Sequence, residues 1–459
     1  MNIYIHLEVS DRELDSKILL AVLAAERGHN VMITDIVGFT IGLNNGLLLP
    51  GIFHTKSLTP SKSKIKKHQN IIDNGFKITS IDEEHGLFYD YAIFAKSRYS
   101  NKTIEQSSAV FGWGSEDTNT LNEFFPNHTS KIYKTGSPRA DLWKKNFMQY
   151  WKVPEKVPKK PYILFASNMI FSNGKPFLEI LRSEKKAGYY SRDPDLFKLN
   201  FFTIAEEYYN IIAFIEAIQH LSKHNNGYDI VVRPHPVENI EAWKTYLEDI
   251  PNVHVIRSGS ITSWIQNSFA IMHNGCTSSL EAMVSEKPVF TYVTFDQKAD
   301  RTKKINELGN CVKSPEELLS KVNTLFENVK SSKKNRSEEH NVKNISKFIY
   351  FDKNEMAAQK MIKIWESFSN NNLSQFSNWN LTKLKWILKS KKLKIDFGKI
   401  IRKLFLINKT TNANKIEKFP PLDFVDINER VRRLGHTLGI KKKLNCKFIS
   451  ERTFLIKKN

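Results

Sequence analysis

The chain has 459 residues, 41% hydrophobic and 12% aromatic, more than a single core usually serves and enough for two. Its net charge of +21 is uneven, because residues 371–459 carry 22 lysines and arginines against 6 acids and so hold 16 of the surplus charges. A nearly balanced body argues against a nucleic-acid-binding core, and a basic end suits an anionic surface.

Other signals bound the class. Cys276, Cys311 and Cys446 are widely spaced and odd in number, which excludes a close-spaced metal knuckle and fits a reducing, cytoplasmic site. The opening MNIYIHLEVS starts a strand at once with no basic-then-apolar leader, and no apolar run approaches the roughly 18 residues of a spanning helix, so an integral membrane protein is not expected.

In chain order, 3–7 predicts a strand and 11–27 a helix, with Leu14, Ile18, Ala21 and Ala25 on one face and Gly28 as its stop. A strand over 31–34 completes a β-α-β unit that lacks the glycine-rich phosphate fingerprint. Glu8, Asp11, Arg12 and Glu13 stand at the first strand's end. They fit either helix capping by Asp11 with dipole-favoured acids, or a site that faces a substrate. The alternation continues through 51–57 with Lys56, the acidic turn 81–86 with Glu84, and the strand into Gly112-Trp-Gly. After a strand over 131–134, Gly136 and Pro138 make a turn in which Arg139 either pairs with Asp141 or meets a substrate carboxylate. The proline- and lysine-rich stretch 144–161 reads as a crossover, giving a first domain over 1–150 and a second over 151–353.

The second domain opens with a strand over 162–165 and a polar loop, and a helix over 203–220 follows a long connection. Residues 228–292 organise the rest. A β-branched run over 229–233 stops at Pro234 and delivers Arg233, His235 and Pro236 to its carboxyl end, where ligands bind in such sheets. Then 269–272 predicts a strand, His273-Asn274-Gly275 a tight turn, and 277–284 a helix beginning with Thr277, Ser278 and Ser279, the pattern of an anion site. Glu281, one turn on, is within reach of a ribose. Each half has a plainer reading: a His-Pro turn satisfied by backbone, and a Ser/Thr N-cap. Two such strand ends about forty residues apart are what a nucleotide-binding half-domain needs. A helix over 314–328 follows, then 354–367 predicts a helix crossing back to the first domain, and 367–380 an Asn/Ser-rich linker.

The pieces LEVSDREL, GIFHTKSL, IDEEHG, FGWG, TGSPRADLW, RPHP and HNGCTSSLEAMVSEKPVFTY, in this order over about the first 300 residues, resemble the bacterial surface carbohydrate biosynthesis protein family. That family is similar, more distantly, to capsule-polysaccharide glycosyltransferases of the GT-B fold, including CMP-sugar-using Kdo and sialic acid transferases. The resemblance implies an α/β chain of two facing Rossmann-like domains, with donor nucleotide in the C-terminal one and acceptor in the N-terminal one. Carried over, His235 and Pro236 meet the cytidine-phosphate end and Thr277 and Ser278 the phosphate, beside Arg233, Asn274 and Glu281. The chain departs from the pattern at Gly275-Cys276, where a second small polar residue is expected.

The expected activity is a metal-independent glycosyltransferase of surface polysaccharide assembly, with no cofactor, taking a nucleotide-sugar donor, CMP-activated for preference, to a glycan or lipid-linked acceptor. Glu8 and Glu13 are the first candidates for the base and Glu84 the next, with Arg12, Lys56 and Arg139 facing substrate. A CDP-glycerol-type glycerophosphotransferase, a hydrolysing nucleotide-sugar 2-epimerase and a non-catalytic assembly partner are the alternatives. In the extension 371–459, Leu381, Leu384 and Leu388 recur at helical spacing beside Lys383, Lys385, Lys389, Lys391 and Lys392, and Ile400, Ile401, Leu404 and Phe405 repeat the mixture. This is either a basic subdomain packed on the body or an interfacial helix that holds the enzyme at the inner face of the cytoplasmic membrane.

Overall fold

The structure is a computed structural model that describes residues 1–83, 90–174, 176–186, 188–192, 194–299, 303–331, 345–352, 354–368, 377–404, 420–441 and 444–458, without the side chains of 192, 303 and 392–404. Contacts divide it into two compact α/β units: Met1–His85, Tyr91–Leu142 and Phe348–Asn459 form one, Gly86–Asp90 and Trp143–Lys347 the other. The sequence reading ends the first domain near 150 and sets 371–459 apart; the contacts change hands at 142/143 and group Phe348–Asn459 with the first unit.

The first unit is built on β1 (Asn2–His6), β2 (Asn30–Thr34), β3 (Ile52–Thr55), β4 (Lys77–Ile81), β5 (Ser107–Gly112) and β6 (Ile132–Lys134), parallel in the order β2-β1-β3-β4-β5-β6. Every residue of β1 is buried, as a central parallel strand covered on both faces must be. The chain leaves β1 to one side for β2 and then crosses to the other for β3. The carboxyl ends of β1 and β3 therefore flank a topological switch point. The helix Ser10–Glu26 buries the predicted Leu14, Ile18, Ala21 and Ala25, and also Leu19, Leu20, Val22 and Leu23. From Ser16 to Ala25 it is buried all round because the helices Ala357–Ser367 and Phe424–Thr437 and a late strand also pack on it. Gly28 ends it at a φ of +91°.

That late strand belongs to a hairpin of β13 (Leu444–Ser450) and β14 (Thr453–Lys458), in which β14 runs antiparallel beside β2 with Leu455 opposite Met32 and Ile456 opposite Val31. Phe454 and Ile456 are fully buried. This segment was expected to be basic extension; its apolar run Phe454-Leu455-Ile456 becomes a buried strand because β2 supplies a long-range partner.

The second unit holds β7 (Tyr162–Ala166), β8 (Asp229–Arg233), β9 (Val253–Val255), β10 (Ala270–His273), β11 (Val289–Tyr292) and β12 (Asn310–Val312). All are parallel, in the order β9-β8-β7-β10-β11-β12. This is the doubly wound order, with its switch point between β7 and β10. Ile163, Phe165, Ile230, Val232 and Met272 pack with Phe214 and Trp243 in one core. The helix expected over 203–220 extends to Asp195–His224, and the expected connection before it contains the helices Ile170–Asn173 and Phe177–Lys186.

Candidate functional site

In the second unit the sheet order singles out the carboxyl ends of β7, β8 and β10, and side chains lock the three loops there to one another. After β7, the Ser167 hydroxyl donates to Glu238 Oε1 at 2.8 Å and the Asn168 amide donates to the Gly275 carbonyl at 2.9 Å. Glu238, 2% exposed, also accepts from the His235 backbone N–H at 2.9 Å and from Trp243 Nε1 at 2.8 Å. A buried carboxylate holding charge-assisted bonds from three segments fixes the Pro234–Asn239 turn. Sequence reasoning did not select Glu238, although its place three residues after His235, at the foot of a helix, was the available signal.

His235 is half-buried at the loop tip and Pro236 is exposed. Its Nδ1 lies 3.2 Å from the Val237 N–H, which can donate only to an unprotonated nitrogen, so the neutral ring carries its proton on Nε2. Arg233 is placed differently from expectation. Its guanidinium donates to the carbonyls of Ser258, at 2.6 Å, and Gly259, and lies 5.9 Å from the Trp264 ring centre, bracing the loop after β9. Burial and Arg257 push its pKa down to about 10.

After β10, the Asn274 amide donates to Asn210 Oδ1 and the Tyr292 carbonyl and accepts from Gln297 and Asn306. Those four bonds fill its capacity, so it shapes the loop. The Gly275 N–H donates to Asn306 Oδ1 at 2.7 Å. Thr277 is exposed at the head of the helix Ser278–Val284, while Ser278 is buried with its hydroxyl 2.9 Å from Cys276 Sγ. Cys276 therefore fills the position where a small polar residue was expected, and Ser278 is its partner. Glu281 is buried and accepts from the Thr262 hydroxyl at 2.8 Å. His235, Pro236 and Thr277 are thus the expected nucleotide contacts that reach the surface; Arg233, Asn274, Ser278 and Glu281 hold the loops that carry them.

In the first unit the switch point between β1 and β3 gathers Glu8, Arg12, Glu13 and Lys56. Asp11 does not cap the helix, whose N-cap is Val9 with no side-chain cap bond; Glu13 Oε2 instead accepts the N–H of Glu8, just before the helix, at 3.1 Å. Lys56 Nζ lies 3.3 Å from Glu8 and 3.8 Å from Glu13, and Arg12 lies 3.5 Å from Glu13. One turn below, the buried Lys17 and Glu83 are ion-paired, and Arg139 donates to the Glu83 carbonyl at 3.4 Å. Asp82 receives a two-pronged pair from Arg98 at 2.8 and 2.9 Å. Burial, then Glu83, raises the Glu13 pKa against the pull of Lys17 and Lys56. Burial and the neighbouring lysines push His6 down to about 3, so it is neutral. The Glu13 side chain is fully covered, whereas that of Glu8 is 40% exposed. Glu84 lies outside the described residues. Among the described residues no group of three or more His, Cys, Asp or Glu could hold a metal ion, and no helix is long and apolar enough to cross a membrane.

No protein-family model matches the sequence, and no curated protein matches it. Among solved structures the chain is similar to one from Listeria monocytogenes assigned as a UDP-N-acetylglucosamine 2-epimerase, with 14% identity over 82% of this chain and 99% of that one and a TM-score of 0.48. It is similar to the UDP-GlcNAc 2-epimerase of Methanocaldococcus jannaschii, with 12% identity over 80% and 100% and a TM-score of 0.46. It is also similar to the wall teichoic acid polymerase TagF, with 11% identity over 70% and 73% and a TM-score of 0.41.

Proposed function

We propose that the chain is a sugar-nucleotide-dependent transferase of cell-surface polysaccharide assembly, its second unit holding the nucleotide and its first unit the acceptor. One observation carries the reading: the doubly wound sheet ends in three interlocked loops that present His235 and Thr277 at its switch point. His235 donates from Nε2 to the phosphate, and the Thr277 hydroxyl donates beside it. As the acceptor oxygen bonds to the anomeric carbon, the carbon–oxygen bond to phosphate breaks, its electron pair stays on the phosphate, and the acceptor proton passes to Glu8. Lys56, 3.3 Å away, lies close enough to orient the Glu8 carboxylate. A CMP-activated acidic sugar is the favoured donor.

The test is thermal shift of the full chain with CMP, CDP, UDP and GDP, since ligand at a hundred times its dissociation constant adds about 2.7 kcal/mol. CMP is expected to stabilise most, and His235→Ala to remove the shift while melting normally. Preference for CDP moves the assignment to glycerophosphate transfer, preference for UDP with sugar release in the absence of acceptor moves it to 2-epimerisation, and no response to any nucleotide overturns it.

A further inference from the structure

The helix Asn378–Leu404 joins the first unit through one face. Leu381 and Leu384 are 5% and 1% exposed, and the helix packs against β13. These were two of the leucines in the expected lipid-facing stripe, and the body of the protein already covers them. The second expected cluster, Ile400 to Phe405, lies outside the described side chains.

The opposite face is unusual. Trp379 and Trp386 are 73% and 68% exposed, while Trp113, Trp243, Trp264 and Trp365 are fully buried. Seven residues is almost two helical turns, so both indoles project along one line, with Lys383 between them. Lys385, Lys389 and Lys391 are exposed as well, and no acid occurs from 378 to 391. Water is a poor solvent for two indole rings, and nothing in folding the first unit requires them on that side. An indole has an apolar body and one N–H donor, which suits the depth of headgroups, and surrounding lysines without acids suit a negative surface.

We propose that the outward face of this helix, led by Trp379 and Trp386, seats the protein on an anionic bilayer surface, with its lysines on headgroup phosphates. The inference stands on this helix alone and goes beyond the nucleotide site.

The test uses the full chain with vesicles of phosphatidylcholine alone and of phosphatidylcholine with a third phosphatidylglycerol. The wild type is expected to sediment with the anionic vesicles only, and Trp379→Ser/Trp386→Ser to bind them about tenfold more weakly or worse at unchanged melting temperature. Lipids brominated near the headgroup are expected to quench wild-type fluorescence on binding, and much less so with Trp379→Phe/Trp386→Phe, which also serves should the serine variant unfold. Equal sedimentation of wild type and the serine variant, or absence of quenching on binding, overturns the proposal. Nucleotide-induced thermal shifts are read on the same samples and separate this outcome from failure of the transferase reading.

Discussion

Ser167 and Glu238 are 71 residues apart in sequence, and the hydroxyl of the first donates to the carboxylate of the second at 2.8 Å. The bond ties the end of β7, which borders the switch point, to the turn after its neighbour β8.

Replacing Glu238 by alanine leaves the Ser167 hydroxyl, the His235 N–H and the Trp243 indole N–H without their acceptor in a buried place. A loss of roughly 3 kcal/mol is expected on urea unfolding, together with loss of the nucleotide-induced thermal shift. A variant as stable as wild type that still responds to nucleotide would show that the turn holds itself.

Glu8→Gln and Glu13→Gln are expected to fail in different ways. The first keeps shape at a half-exposed position, so stability is retained and turnover falls by about 10² or more. The second disturbs a covered carboxylate that caps the Glu8 N–H beside Lys56 and Arg12, and is expected to lower stability by roughly 1–3 kcal/mol as well. Steady-state kinetics and denaturation of the two variants decide it; full turnover in Glu8→Gln removes that residue as the base.

Glu207 gives a pH dependence. It is buried among the N–H groups of Phe171 and Ser172 and the Ser172 hydroxyl, and burial raises its pKa to about 7 from an ordinary 4.5. Between those values the folded state keeps a proton that the unfolded state releases, so stability falls as pH rises across the window. The full span corresponds to about 3 kcal/mol. Urea midpoints between pH 4.5 and 8 are expected to decline more steeply in wild type than in Glu207→Gln; parallel curves would show that the carboxyl titrates normally.

Deleting residues 444–459 removes the strand that pairs with β2 and uncovers its edge. The first unit is expected to melt lower and to aggregate, while the nucleotide response of the second unit persists. Two-transition calorimetry reads the units separately, and an unchanged first transition would make the hairpin dispensable.

Much of this architecture was open to a reading of the chain. Asp229–Arg233 reads as a strand because a β-branched run halts at Pro234, and the structure has it at those residues. What local sequence could not show was partnership. The segment LNCKFISERTFLIKK looks basic until β2, more than 400 residues earlier, supplies the neighbour that buries Phe454 and Ile456. Arg233 looks like a phosphate ligand by its place at a strand end, but two carbonyls of the loop after β9 take its guanidinium. Asp11 looks like the helix cap in the sequence, but the helix starts at Ser10 after Val9, and it is Glu13 that bonds back to the Glu8 N–H. Leu381 and Trp379 share a helix with a clear stripe, yet which side meets the body depends on β13.

The hairpin also sets an order of events during synthesis. Residues 143–347 of the second unit are continuous, so that sheet has all six strands once Val312 has emerged from the ribosome. The first unit begins earlier and finishes later, because the edge of β2 waits for Thr453–Lys458. For most of translation the nascent chain therefore presents an open, apolar strand edge, and demand for a holding chaperone is greatest in that interval.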